Sequence, residues 1–228
     1  MPKNTASKDI KTLAIVLRRT NYGEADRILN LITPMGKIAA IAKGVRRAKS
    51  KLAGGVEIFT LSELQIHQGR SELGVVTSAK MVRHYGKIMQ DLARMELAGM
   101  ILKQVSIAAG QVEGGEFFAI TKQCLEELNN ETNVLLVESW FWLNLLKISG
   151  EEVNLYRDVA GDKLTEGVSY AWDTYGRCFV KDENGKYGTN EIKLLRIMSK
   201  MDLEVIKKIK MEQNIIDKVY DIIKTWEN

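Results

Sequence analysis

Apolar positions along this chain follow two rhythms, and the change between them falls near Arg83. Before it they come in short, alternating runs. From Lys11, Leu13, Ile15 and Leu17 alternate with Ala14, Val16 and Arg18; Asp26–Thr33 reads DRILNLIT; and residues 36–42 read GKIAAIA, with β-branched Ile38 and Ile41. A period of two marks a half-buried strand. Asn21, Tyr22 and Gly23 turn the chain after the first run, and Thr33-Pro34-Met35-Gly36, with proline at its second position, turns it after the second. Two more strands are expected over 56–67 and 74–82, divided by a polar turn at 68–72, while residues 1–10 read as a loose leader. Five short strands with cations between them, closed into a barrel to satisfy their edges, are the inventory of an OB-fold; an SH3-like barrel gives a similar string.

After Arg83 the spacing becomes three and four. Ile88, Leu92, Met95, Gly99, Leu102 and Val105 trace a long helix ending near Gly110, and Phe117, Ile120, Cys124 and Leu128 trace a second one after Gly114-Gly115. Residues 134–148 are apolar on nearly every face, with Trp140, Phe141 and Trp142 at their middle and Gly150 as C-terminal cap, so this helix is expected at the centre of a bundle. In the poorly patterned stretch 151–188, Asn184-Gly185 within CFVKDENGKY predicts a tight hairpin over Cys178–Tyr187. Helices resume after Thr189, an expected N-cap: one over 192–201, a short one capped by Asp202, and one over 215–226 with Ile216, Val219, Ile223 and Trp226 on one face. The class is α+β, with a barrel domain at 1–83 and a helical domain at 84–228 that carries a hairpin insertion around 151–188.

Charge sharpens this division. The net charge of +4 hides a split: residues 1–83 hold 15 Lys and Arg against 6 Asp and Glu, net +9, and residues 84–228 hold 18 against 23, net −5. Lys37, Lys43, Arg46, Arg47, Lys49 and Lys51 crowd into seventeen residues from Gly36 to Leu52, and no acidic residue stands between Asp26 and Glu57. Gly44 ends the third strand pattern, so most of these cations belong to a surface loop. Their natural partner is a polyanion, since neutralising several phosphates together releases condensed counterions. A loop of solvated cations is the blander reading of the same residues.

Other chemistry finds little support. Cys124 and Cys178 are far apart and form no CxxC, so neither a disulfide framework nor a zinc knuckle is indicated, and a reducing cytoplasm fits. His67 and His84 are the only histidines, and no nucleophile-base pattern or metal-ligand spacing surrounds them. Gly44–Ser50, GVRRAKS, has Ala48 where a phosphate loop needs glycine before its lysine, so nucleotide hydrolysis is rejected. The Trp140-Phe141-Trp142 triplet and Cys124 read as core. The polar N-terminus and the interrupted apolar runs predict neither an export signal nor a membrane span. No catalytic residue, metal or cofactor is expected.

Gly23-Glu24-Ala25-Asp26 before a strand, Thr33 and Gly36-Lys37 at the next turn, and Ala42-Lys43-Gly44-Val45-Arg46-Arg47 followed by Ser50 resemble the RecO family of bacterial recombination mediators. The order of elements resembles that family across essentially the whole chain. The resemblance implies an OB-fold joined to a helical domain that binds single- and double-stranded DNA and anneals complementary strands. It also implies work with RecR, and in many members RecF, to load RecA recombinase on DNA coated by single-strand-binding protein, whose acidic tail such proteins contact. Many members carry a four-cysteine zinc module. Here the matching region, near 155–180, keeps only Cys178, with Asp158 and Gly161 near the place of a CxxC, so a degenerate, metal-free module is expected. Lys43, Arg46, Arg47, Lys49 and Lys51 are the expected phosphate contacts, flanked by Arg18, Arg19, Arg27 and Lys37. No aromatic is interleaved with them, and Tyr22 is the nearest candidate for base stacking. An OB-type RNA-binding or translation-associated module, and an enzyme with a concealed site in the helical half, are the alternatives.

Overall fold

Strand β1 (Lys8–Tyr22) is long enough, at 15 residues, to serve two neighbours. Its first half pairs with β4 (Thr60–Gln68), from Lys8↔Gln68 to Ile15↔Leu61, and its second half with β2 (Asp26–Thr33), from Ile15↔Ile32 to Tyr22↔Asp26. With β3 (Gly36–Ala42) and β5 (Gly74–His84), these strands close into a five-stranded barrel in the order β1-β2-β3-β5-β4. The seam between β3 and β5 is parallel and short, holding Ala40↔Gly74 and Ile41↔Val75. The computed structural model describes residues 8–69, 73–110 and 114–226.

Alternation fills the barrel from one face of each strand. Ala14 and Val16 of β1, Leu29 and Leu31 of β2, Ala40 and Ala42 of β3, Leu64 and Ile66 of β4 and Val76 of β5 form one buried cluster, joined by Val45 and Val56 from the connecting segments. The interior face of β1 is therefore Ala14 and Val16, not the Leu13, Ile15 and Leu17 set that the alternation suggested. Leu13 is exposed, whereas Ile15 is buried on the outer face. There the helices α1 (Leu92–Ala108) and α2 (Glu116–Asn129) pack against β1, so the middle of the strand is covered on both sides and reads as continuously apolar. A register shift between Val16 and Arg18 then re-aims the polar end of the strand.

Several boundaries differ from the sequence pattern: Asn21 and Tyr22, expected in a turn, end β1, and Ile88, expected in the first helix, lies in a 3-10 turn before α1. Lys8–Ile10, expected in a leader, open β1, and the rest of the leader lies outside the described residues, as do residues 70–72 of the expected polar turn. Residues 56–59, expected to begin the fourth strand, do not. Ala53–Val56 is a 3-10 turn, Phe59 has a φ of 56°, and β4 starts at Thr60. The cause is non-local: the backbone at Gly55 lies so close to Ala79 of β5 that a Cβ there would overlap it, and Val56 drops into the barrel interior as a plug.

The helices fall into two groups. The chain divides into two compact units at Asn129, and α1 and α2 belong to the unit of the barrel. α2 begins where the β2–β3 turn touches it, since a side chain at Gly115 would overlap the Pro34 carbonyl. The second unit is built on α3 (Val134–Ile148), which contributes Trp140, Phe141 and Trp142 to the core as expected. Trp140 donates its Nε1–H to the Met201 carbonyl at 2.8 Å. At the end of α3, Gly150 takes φ +83°; its N–H donates to Lys147 O and that of Glu151 to Leu146 O, which completes a Schellman cap. α4 (Thr189–Met198), α5 (Leu203–Ile206) and α6 (Gln213–Ile223) complete the helices, with the expected face of α6 buried. Thr189 is the first residue of α4 rather than its cap, which is Gly188, and the Thr189 hydroxyl accepts from Gly167 N–H.

Hairpin β6 (Tyr170–Asp173) and β7 (Cys178–Lys181) reverses at residues 174–177, with Arg177 at φ 46°, and not at Asn184-Gly185. Gly185 has another duty. It lies against the main chain of Tyr170 with no room for a Cβ, which lets Tyr187 bridge back to Tyr170 on the open side of β6.

Candidate nucleic-acid interface

The loop after β3 is short of regular structure yet held at four points. Val45 is buried in the barrel cluster, and Gly44 adopts φ +64°, a backbone shape that costs a glycine little. The Gly44 N–H donates to Asp26 Oδ1 at 2.7 Å, and the Arg46 N–H donates to Ala25 O at 2.8 Å. Arg46 also returns a guanidinium N–H to Gly23 O at 3.3 Å. Two tight turns follow, Arg47 N–H to Gly44 O and Ser50 N–H to Arg47 O, and Ser50 Oγ accepts from Leu52 N–H. Residues 23–25, the turn between β1 and β2, and Asp26, the first residue of β2, are thus a bracket on which the basic loop is mounted.

From that bracket Lys43, Arg46, Arg47, Lys49 and Lys51 all stand exposed, so the structure unites the five principal cations. The flanking four are placed differently. Arg27, whose register partner is Ala42, lies on the same rim as the loop. Its guanidinium donates to Glu57 Oε1 at 3.0 Å, and Arg19 reaches the other oxygen of the same carboxylate. Burial, and then the neighbouring Arg27 charge, lower the pKa of Arg19, yet a guanidinium remains protonated at neutral pH. Arg18 is exposed on the outer wall of β1. Lys37 stands at the far end of β3, six residues and roughly 20 Å of strand from Lys43, and its ammonium donates to Ser106 O near the C-terminus of α1. It caps a helix end instead of joining the loop.

Charge counting missed the residues that build this surface. Asp26 and Val45 fix the loop, and Glu57 holds two arginines at the rim; none is a cation. The available signal was the pairing of a lone aspartate at a strand start with a glycine opening a basic run, a relation between residues 18 positions apart.

The donors near the hairpin do not fit a zinc ion. Asp158 Oδ1 accepts from the N–H groups of Ala160 and Asp162 at 3.0 and 2.9 Å, and the two Asp173 oxygens accept from Tyr175 and Gly176 at 3.1 and 3.2 Å. Burial, then Asp173 and Asp158, raise the pKa of Cys178, which favours the thiol over the thiolate a metal requires. Among the described residues no three His, Cys, Asp or Glu side chains are grouped to hold a metal, and no helix is long and apolar enough to cross a membrane.

Comparison with known proteins covers both halves of the chain. The family model "Recombination protein O N terminal" matches residues 8–85, and "Recombination protein O C terminal" matches residues 89–226. A curated relative from Dehalococcoides mccartyi strain 195, named DNA repair protein RecO, is 31% identical over 224 residues, covering 94% of this chain and 88% of its own length. A protein of the same name from Roseiflexus sp. strain RS-1 is 30% identical over 203 residues, covering 86% and 71%. One from Listeria monocytogenes serotype 4b is 24% identical over 225 residues, covering 92% and 88%.

Proposed function

The chain belongs to the RecO family of DNA repair proteins, and from that premise we propose that it binds single- and double-stranded DNA without sequence preference through the loop between β3 and β4. It anneals complementary strands and, with RecR and RecF, helps load RecA on DNA coated by single-strand-binding protein. It works in the cytoplasm as a non-catalytic mediator. The observation that carries this reading is the mounting of five exposed cations on one pinned loop, with the Asp26 carboxylate turned to the backbone and that of Glu57 engaged by Arg19 and Arg27. Such a surface follows phosphates and reads no bases. The closed barrel with strand order β1-β2-β3-β5-β4 supports its description as an OB-fold. Family membership favours DNA over an RNA-binding role, because the curated relatives are named for DNA repair.

For the acidic tail of single-strand-binding protein the second unit offers a matching surface. Met201, Val205 and Ile209 are exposed at a spacing of four residues, among Lys200, Lys207, Lys208 and Lys210, with Asp202 and Glu204 between them and Lys208 paired to Glu204 at 3.4 Å. Exposed apolar side chains with cations in excess over carboxylates suit a peptide that is acidic with apolar side chains.

The loop is tested by Arg46→Glu with Arg47→Glu. Affinity for any DNA sequence should fall while circular dichroism and melting stay unchanged. Wild-type binding should weaken, for each tenfold rise in salt, by roughly 0.7 logarithmic units per phosphate contact on single strands. Unchanged affinity in the folded double variant would move the site elsewhere.

A further inference from the structure

Five aromatic side chains lie within the barrel unit: Tyr22, Phe59, Tyr85, Phe117 and Phe118. Four of them are buried. Tyr22 is 56% exposed, and it stands at the place where the basic loop is mounted. It ends β1 opposite Asp26, the residue that holds Gly44, and it precedes Gly23, whose carbonyl takes the Arg46 guanidinium. The cation-ring contacts of the described residues engage Tyr85, Tyr156 and Tyr220, so the ring of Tyr22 carries no cation on its face. An exposed aromatic adds nothing to the barrel core, but beside a row of phosphate-binding cations it offers a flat surface to the base of a bound nucleotide.

We propose that Tyr22 is a base-stacking platform that receives one unpaired nucleobase from a strand whose phosphates lie along the basic loop. This rests on the loop being the DNA site. Stacking needs a base freed from its helix, so the ring contributes to single strands and not to intact duplex, whereas the cations contribute to both. A single platform also fits annealing. A surface with several stacking residues would hide consecutive bases from a complementary strand; one ring registers the strand while the neighbouring bases remain free to pair.

The test measures binding of a single-stranded oligonucleotide and of its duplex to the whole protein, with Tyr22→Ala, Tyr22→Phe and the Arg46→Glu, Arg47→Glu variant in parallel. Tyr22→Ala should weaken single-strand binding roughly 5- to 150-fold and duplex binding less than twofold, and Tyr22→Phe should restore the single-strand affinity. A 2-aminopurine base in the oligonucleotide should be quenched by the wild type and by Tyr22→Phe, but not by Tyr22→Ala. Unchanged single-strand affinity in Tyr22→Ala, or equal losses on strand and duplex, would overturn the platform. Loss of the loop as the DNA site would show separately, as retained duplex binding in the arginine double variant.

Discussion

Asp26 has the wrong charge for the proposed DNA site, yet it holds the loop on which that site would stand. Its carboxylate holds the Gly44 N–H and so fixes where the basic loop begins. Two substitutions separate charge from anchorage. Asp26→Asn removes the negative charge but keeps an oxygen that can accept the same hydrogen bond, and its DNA affinity should equal or exceed that of the wild type. Asp26→Ala removes both; despite the gain in net positive charge its affinity should fall several-fold, with a stability loss of about 1–2 kcal/mol. Anisotropy titrations at one fixed salt concentration check both, and tighter binding by the alanine variant would mean that the loop needs no anchor. The five loop cations could be read directly from the chain, because a run of charge without carboxylates is a local property. Neither the Asp26 anchor nor the diversion of Lys37 to Ser106 is local, since they join residues 18 and 69 positions apart.

At the scale of elements, β2, β3, α3 and α6 follow from their own periodicity, because each buries a face its own pattern defines. Residues 56–59 and the hairpin did not, since Gly55 and Gly185 are set by backbone that approaches from elsewhere in the chain. The hairpin region is held without recourse to a metal-ligand set: Asp158 and Asp173 close its turns with hydrogen bonds, and Phe179 packs edge-on against Trp172 at 5.1 Å and Tyr170 at 6.1 Å, with Trp226 6.0 Å from Trp172. Aromatic pairs of this kind are worth about 0.5–1.5 kcal/mol each beyond their burial. Purified protein should accordingly contain no stoichiometric zinc and should melt at the same temperature with and without chelator. One zinc per chain by elemental analysis would contradict this account.

For the whole molecule, the charge divides along the compact units: residues up to Asn129 hold 19 Lys and Arg against 12 Asp and Glu, net +7, and the remainder 14 against 17, net −3. Opposite net charges suit different ligands, and the two proposed activities should separate. The Arg46→Glu, Arg47→Glu protein should fail to anneal naked complementary oligonucleotides, yet still bind an acidic, apolar-ended peptide with wild-type affinity. Fluorescence annealing and peptide titration read the two activities; loss of both in a normally folded variant would place peptide and DNA on the same basic face. The packing of α1 and α2 on the barrel bears on how such a protein can be recombined. Gly115 fits under Pro34 without space for a side chain, and Lys37 is tied to Ser106. A chimaera spliced between relatives at residues 85–89, where the two family matches meet, would pair one parent's barrel with the other parent's helices and cut through both contacts. The piece that can be exchanged intact ends after Asn129.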